Sequence, residues 1–235
     1  MMSMIRRTLL GFAAAAALAV AQPAIADDSH PYFKGDVVPL MDLVLPPSGP
    51  DSAATKAELD EVVKIMAAAS DERKKQAVAD DEESLAQFLA GTSVKVDKAK
   101  IPLTVALIQR VIDTEDEVTS PAKKGFGRKC PPLVDARIKP LIELSKSGAY
   151  PSGHTTNGTA TAIVIAKMLP EKRDELLTRA KDYAWSRMIV GVHYPTDLDA
   201  GYASGALMAQ ALMANAEFQK EFEPAKSELR KALGM

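Results

Sequence analysis

Apolar side chains at helical spacing are the feature that most limits how this chain can fold. Stripes that recur every three or four residues fill several successive segments. Three of these stripes are Leu59-Val62-Val63-Met66, Leu103-Ala106-Leu107-Val111 and Ala160-Ile163-Val164-Met168. Aromatic residues make up 5% of the chain and hydrophobic residues 47%, which favours packed helices over a β-sandwich or barrel. We therefore predict an all-α fold, a single-domain helical bundle.

Capping residues, prolines and glycines indicate where the helices begin and end. One predicted helix starts after Asp51 or Ser52, and another starts at Thr196. The other predicted helices cover about 71–89, 101–118, 134–144, 154–169, 171–192 and 218–233. Irregular structure is expected over 30–50, 121–132 and 148–153. The charges of the 71–89 helix are interpreted as a solvated face without a function.

The first 26 residues have the pattern of a secretory signal peptide. Arg6-Arg7 is a positive region, Thr8–Ala21 is an apolar run of 14 residues, and Ala24-Ile25-Ala26 fits a cleavage site. An uncleaved anchor is the alternative, but this run is shorter than the ~20 residues that span a bilayer. We predict a cleaved signal peptide over 1–26 and one domain over 27–235. This domain would have no membrane span and would be periplasmic or secreted in a bacterium.

Charge and cysteine content exclude several classes of protein. The chain has 29 Lys and Arg against 31 Asp and Glu, a formal net charge of −2, which excludes a broadly basic nucleic-acid-binding protein. The one cysteine excludes a disulfide framework and a cysteine-based zinc site. We expect no nucleic-acid partner.

A Pro-Gly turn leads directly into the predicted 154–169 helix. The segment Y-P-S-G-H-T at 150–155 places His154 at a helix N-terminus, where backbone N–H groups and the helix dipole attract anions. Ser152 adds a hydroxyl, and Gly153 allows a ligand to approach the backbone closely. Taken alone, the segment also fits a surface histidine beside a helix cap.

A second histidine lies in the pattern S-R-x5-H-x3-D. Arg187 and His193 are six residues apart and project toward the same end of one predicted helix. Asp197 begins the next helix, where its carboxylate can hold one imidazole nitrogen and leave the other free as a nucleophile. A salt bridge between Arg187 and Asp197 that ties two helices together is the alternative interpretation.

Together these residues are the groups that phosphoryl transfer through a phosphohistidine requires. One histidine attacks, the other protonates the leaving oxygen, and arginine with backbone N–H groups holds the equatorial oxygens. Upstream lies a glycine-bearing loop with four cations, Lys123, Lys124, Arg128 and Lys129. Such a loop is usually solvated surface, but near an oxyanion site it favours a phosphate clamp.

The motifs resemble the three-part signature of the type 2 phosphatidic acid phosphatase and vanadium haloperoxidase superfamily. This signature is K-x6-R-P, P-S-G-H and S-R-x5-H-x3-D; the second part is complete at 151–154 and the third at 186–197. Within the superfamily the chain is most similar to the secreted class A bacterial non-specific acid phosphatases, which also have L-P-P and D-S-A-A as found at 45–47 and 51–54. The resemblance implies a helical bundle of that kind, with no metal and no cofactor.

The resemblance also implies a role for each residue of the site. His193 would be the nucleophile, Asp197 its orienting partner and His154 the general acid. The residues that would bind phosphate are Lys123, Arg187, Ser152 and Gly153. Because His193 must be neutral while His154 is protonated, activity should follow a bell-shaped pH profile with an acidic-to-neutral maximum.

Cys130 departs from the family pattern. It lies seven residues after Lys123, where the family has arginine, and Pro131 follows as expected. A neutral thiol cannot make the bidentate, charge-assisted contact of a guanidinium with phosphate. Losing such a donor typically costs on the order of 10²–10³ in rate. We expect a weakened phosphatase in which Arg128 or Lys129 partly replaces the missing cation.

The sequence thus predicts a secreted, metal-independent acid phosphatase that hydrolyses small-molecule phosphate monoesters with broad specificity through a phosphohistidine. Inorganic phosphate and vanadate are the expected inhibitors, and the sequence is compatible with a homo-oligomer. The alternatives are a lipid or polyprenyl phosphate phosphatase, a vanadium haloperoxidase, and a catalytically impaired phosphate-binding homologue. Tests with short-chain lipid phosphates, bromide oxidation by peroxide, and phosphate binding without turnover distinguish these alternatives.

Overall fold

The computed structural model describes residues 30–235, and within them all regular structure is helical, without a β-strand. The α-helices are α1 (Leu40–Leu43), α2 (Ala53–Ala68), α3 (Asp71–Ala79), α4 (Leu85–Ala90), α5 (Pro102–Phe126), α6 (Gly153–Met168), α7 (Arg173–Ile189), α8 (Pro195–Ala214) and α9 (Ala216–Ala232). Short 3-10 turns cover Gly35–Val37, Lys98–Lys100, Pro131–Leu133 and Pro170–Lys172. The predicted all-α fold is confirmed. The predicted signal peptide, residues 1–26, lies outside the described residues.

Helix α6 is the centre of the bundle. It packs on α5, α7 and α8, and nearly all of its side chains are buried. Small residues bring α8 unusually close to it, as their abundance in the sequence predicts. A Cβ added at Gly201 would lie 2.7 Å from the Thr155 side chain, and one at Gly205 would lie 2.5 Å from the Thr156 carbonyl oxygen. The two helix backbones are therefore in direct contact, and α6 has no room to shift.

Two hydrophobic clusters flank α6. The larger joins α5, α6, α8 and α9 through residues such as Leu107, Ile165, Met208 and Phe218. The smaller joins α2, α7 and the start of α8, and its members include Val62, Cys130, Ile138, Met188, Tyr194 and Leu198. Because burial of apolar area is the main stabilising contribution to a fold, these clusters fix the positions of α6, α7 and α8.

Helix α5 is longer than predicted. The prediction ended it near residue 118 and assigned 121–132 to a loop, but the helix continues through Pro121 to Phe126. Buried Val118 and Ala122 anchor this last stretch to the core. The helix ends where Gly127 adopts a φ of 63° and donates its N–H to the Lys123 carbonyl. Lys123 thus projects from the last turn of a rigid helix instead of a loop.

Residues 80–84 break the predicted 71–89 helix in two. Asp80 is fully buried and accepts hydrogen bonds from Arg179 at 2.6 Å and from Ser186 at 2.6 Å. Ser84 then caps α4 by accepting from the Gln87 N–H. The helix breaks because a buried ion pair joins Asp80 to the distant Arg179. The periodicity of apolar residues along a helix does not reveal such a pair.

Two smaller predictions also differ from the structure. The helix predicted over 134–144 is absent, and this stretch is irregular, with Ile138 as a buried anchor. Thr196 is not the cap of α8, because Tyr194 occupies that position and its N–H donates to the Asp197 carboxylate at 2.9 Å. The carboxylate that the sequence assigned to catalysis therefore also starts α8.

Replacing Asp80 should strongly destabilise the fold. In Asp80→Ala the Arg179 guanidinium, 4% exposed, loses its buried counter-charge, and breaking such a pair typically costs about 3–5 kcal/mol. Urea unfolding measures this loss. Asp174→Ala is the control, because its side chain is 93% exposed beside Arg173 and should leave the free energy of unfolding unchanged. Equal stability of the two variants would contradict the prediction.

Candidate active site

Two buried histidines, each held by a carboxylate, mark the candidate site. His193 lies just before α8, and its Nδ1 is 3.0 Å from Asp197 Oδ2. His154 lies in the first turn of α6, and its Nδ1 is 2.6 Å from Glu83 Oε1. In both rings the carboxylate occupies Nδ1 and leaves Nε2 for a reacting group. His154 Nε2 is buried and has no hydrogen-bond partner within the described residues.

Asp197 joins the starts of α6 and α8. Its Oδ2 accepts from the Tyr194 N–H as well as facing His193, and its backbone carbonyl accepts from the Ser152 N–H at 3.0 Å. Ser152 in turn caps α6, because its hydroxyl accepts from the Thr155 N–H at 3.3 Å. One buried aspartate thereby places both predicted motifs in a single site.

The predicted phosphate-binding residues converge on the N-terminus of α6. A Cβ at Gly153 would lie 2.8 Å from Lys123 Nζ, so the absence of a side chain at Gly153 lets the ammonium group reach the helix N-terminus. Arg187 enters from α7, where it is 7% exposed and donates to Asp81 at 2.8 Å. Its Nε is buried without a partner among the described residues. Lys123 and Arg187 therefore both lie near the first turn of α6, and the helix N-terminus beside them is the candidate anion position.

Arg128 was predicted as a possible phosphate-binding residue, but it contacts other side chains instead. Its Nη1 donates to Asp197 Oδ1 at 2.7 Å and to Thr196 at 2.8 Å, and its Nη2 donates to Glu58. The guanidinium also stacks on Tyr194, 3.7 Å from the ring centroid. Arg128 therefore braces the Asp197 carboxylate, and both of its terminal nitrogens are already engaged.

Cys130 is 5% exposed and packs in the smaller hydrophobic cluster. Burial, reinforced by the negative charge of Asp197, raises the pKa of its thiol. The side chain is therefore a neutral, apolar neighbour of the site and supplies no positive charge.

The sequence analysis missed three carboxylates of the site. Asp81 and Glu83 come from the 80–84 break and contact Arg187 and His154, although the prediction placed them on a solvated face. Glu115 comes from α5 and reaches Gly153, where it would collide with any Cβ. A run of four acidic residues directly before a serine cap was the available signal for the break, whereas nothing in the sequence near Glu115 indicated its place.

Burial lowers the pKa of both histidines. For His154 the positive charge of Arg187 adds to this lowering, and Glu83 opposes it. For His193 the Asp197 carboxylate opposes the effect of burial, while Arg187 and Lys123 reinforce it. A lowered pKa favours the neutral, nucleophilic form of His193, whereas a proton on His154 must be held against the same effect of burial, with Glu83 as its support.

Glu115 is a carboxyl of the site whose pKa lies well above its ordinary value. It is buried, and the Thr119 hydroxyl donates to it at 2.5 Å. Burial raises its pKa to about 7, although nearby Lys123 opposes the shift. Below neutral pH the group is therefore an uncharged acid beside the anion position. Across residues 30–235, no three His, Cys, Asp or Glu side chains converge in a way that could hold a metal ion.

Comparison with known proteins identifies the family. The sequence profile of the PAP2 superfamily matches residues 101–220, more than half of the chain. The chain belongs to the PAP2 superfamily. The resemblance inferred from the motifs is thus confirmed, and the matched range contains all of the predicted site residues.

Two relatives that match over half of the chain or more are named acid phosphatases. The chain is 33% identical over 153 residues to a Zymomonas mobilis "Acid phosphatase", an alignment that covers 63% of this chain and 58% of that protein. It is 32% identical over 193 residues to a Salmonella typhimurium "Non-specific acid phosphatase", covering 78% and 77%. The match therefore spans less than two thirds of the Zymomonas protein.

A solved structure supports the fold alone. The crystal structure of a bacterial vanadium-dependent iodoperoxidase superposes with a TM-score of 0.56 at 18% identity, over 73% of this chain and 52% of that one. Within residues 30–235, none of the helices combines the length and the apolar character that a bilayer crossing requires.

Glu115 should make stability depend on pH. Below its ordinary pKa of 4.5 the carboxyl is protonated in both folded and unfolded chains. Between 4.5 and about 7 only the unfolded chain loses this proton, so the free energy of unfolding falls, by on the order of 3 kcal/mol in all. Glu115→Gln should remove this loss, as denaturant unfolding on either side of the range will measure. Asp116→Asn, an exposed change on the same helix, should behave as the unmodified protein. The prediction fails if Glu115→Gln follows the same pH dependence.

Proposed function

We propose that this protein is an exported acid phosphatase that hydrolyses phosphate monoesters through a phosphohistidine. The observation that carries the proposal is the pair of buried imidazoles, each with its Nδ1 on a carboxylate, at an anion position formed by Lys123, Arg187 and the start of α6. The names of the acid phosphatase relatives support the same activity.

The first step transfers the phosphoryl group to the protein. His193 Nε2 attacks phosphorus in line, a P–N bond forms, and the P–O bond to the leaving alcohol breaks. His154 donates the proton that converts the leaving alkoxide to an alcohol. Asp197 stabilises the positive charge that develops on the attacking ring, and Arg128 holds Asp197 in place.

The second step releases inorganic phosphate. Water attacks the phosphohistidine, His154 accepts the proton of this water, and the P–N bond breaks to restore neutral His193. Arg187, Lys123, the Ser152 hydroxyl and the Gly153 N–H would hold the oxygens of phosphorus throughout both steps. Every proton is accounted for by the two histidines, so no step of this route needs a metal.

The proposal includes export and a broad substrate range. The signal pattern of residues 1–26 supports export of a domain over 27–235 to the periplasm or the medium. The word "non-specific" in the name of the Salmonella relative supports a broad range of monoesters. Vanadate should inhibit, because its trigonal-bipyramidal adduct resembles the transition state.

Hydrolysis of p-nitrophenyl phosphate with EDTA present tests this proposal. The unmodified protein should turn over with a bell-shaped pH profile, and His193→Ala should lose at least about 10³-fold in kcat because the nucleophile is removed. His30→Ala is the matched control, since His30 is exposed and should retain full activity. Turnover that survives in His193→Ala would contradict the proposed mechanism, and turnover abolished by EDTA would contradict metal independence.

An arginine at position 130 should strengthen the enzyme. Cys130→Arg restores a bidentate donor beside the anion position, so kcat/KM should rise by more than roughly tenfold. Cys130→Ser, a neutral and small replacement, should show no such gain. Because Cys130 packs among apolar side chains, thermal unfolding accompanies the kinetics. An unchanged kcat/KM in folded Cys130→Arg would show that Lys123 and Arg187 already supply the required charge.

A further inference from the structure

Glu83 is a carboxylate at the site that takes part in neither step of the proposed reaction. It belongs to the 80–84 break, and its Oε1 lies 2.6 Å from His154 Nδ1. The segment that carries it is firmly anchored, because Asp80 is buried on Arg179 and Asp81 pairs with Arg187. Glu83 is therefore placed on His154 by the fixed contacts of two residues that precede it.

The contacts of His154 leave it one orientation. Its ring stacks on Tyr183, with centroids 4.2 Å apart and an interplanar angle of 20°. The Tyr183 hydroxyl donates to the Glu82 carbonyl at 2.9 Å, so the stacking partner is tied to the segment that carries Glu83. Nδ1 of His154 contacts the Glu83 carboxylate, and one face of its ring covers Tyr183. The remaining ring nitrogen, Nε2, is buried and has no hydrogen-bond partner in the described structure.

The charges around His154 make Glu83 the main support for a proton on this ring. From α7, Arg187 disfavours the imidazolium, as does burial. From the 80–84 segment, Glu83 favours the imidazolium through its hydrogen bond and its charge, and Asp81 favours it more weakly.

The partners of Glu83 and of the α6 N-terminus complete this set of charges. Burial raises the pKa of Glu83, but His154, Arg187 and Lys123 outweigh burial and hold this pKa below its ordinary value. Glu83 is thus an anion, and the ring beside it is the partner within hydrogen-bond distance. From α5, Lys123 and Glu115 reach the neighbouring Gly153.

We propose that Glu83 is the positioning residue of the general acid: it aims His154 Nε2 at the leaving oxygen and keeps the proton on the ring. This inference rests on the proposed function. Asp197 holds His193 in the same way, but the two rings need different charges when the substrate binds. His154 must carry a proton to give away, and His193 must be neutral to attack.

The dependence on the leaving group separates this role from a structural one. An alkoxide must be protonated as it leaves, whereas p-nitrophenolate leaves readily without a proton. In Glu83→Gln, which keeps the shape and loses the charge, kcat/KM for glycerol phosphate should fall by about 10- to 100-fold, because kcat/KM reports the step in which the alcohol leaves. For p-nitrophenyl phosphate the fall in kcat/KM should stay within about threefold. Glu82→Gln, an exposed change in the same segment, should leave both rates unchanged, and Glu83→Asp should restore part of the loss.

Each other outcome overturns a specific statement. Equal losses for both substrates, or no loss for either, would show that Glu83 does not act through the general acid. Absence of turnover with both substrates in the folded, unmodified protein would instead overturn the proposed function. NMR titration of the imidazole nitrogens reports on Glu83 without relying on activity. His154 should carry its proton on Nδ1 in the unmodified protein, and Nδ1 without a proton would contradict the inference.

Discussion

Buried positive charge is possible at this end of the bundle because each of three arginines there faces a carboxylate. A charge removed from water is costly unless it is paired and hydrogen-bonded. Arg179 pairs with Asp80, Arg187 with Asp81, and Arg128 with both Glu58 and Asp197. The carboxylates come from α2, from the 80–84 segment and from α8, so pairing the charges also holds these elements together. The same ion pairs therefore stabilise this part of the fold and organise the site.

Local sequence predicted the parts of the site that lie within one motif. The helix N-terminus at Ser152–His154, the contact of His193 with Asp197 four residues later, and the small-residue face of α8 all follow from spacings of a few residues. The contacts that the sequence did not reveal join distant residues. Glu83 and His154 are 71 positions apart, and Arg128 and Asp197 are 69 apart. Helical periodicity registers which face is apolar, and it contains no information on which charged residue of one helix meets which residue of another.

Two residues near the anion position reduce its positive charge. Cys130 supplies a neutral thiol where the family resemblance implies a guanidinium, and Glu115 adds a carboxyl that becomes anionic near neutral pH. Lys123 and Arg187 are the cations that reach this position, and Arg187 is shared with Asp81. A bound phosphate would therefore meet its least repulsive environment in acidic solution, when Glu115 is uncharged. For the proposed phosphatase activity, this carboxyl is a reason within the chain's own residues to expect an acidic working range.

The direct backbone contact between α6 and α8 has a consequence for how such a protein diversifies. His154 is carried by α6, and Asp197, which contacts His193, is carried by α8, so the separation of the two imidazoles is set where Gly201 and Gly205 meet the backbone and side chains of α6. Side chains cannot be added at this seam without forcing the helices apart. The stretch at 45–50 is different, because it is mostly exposed and a Cβ at its Gly49 would meet nothing within 4 Å. Exposed stretches of this kind can therefore change freely in evolution, whereas the helix pair that carries the site tolerates few substitutions where its backbones meet.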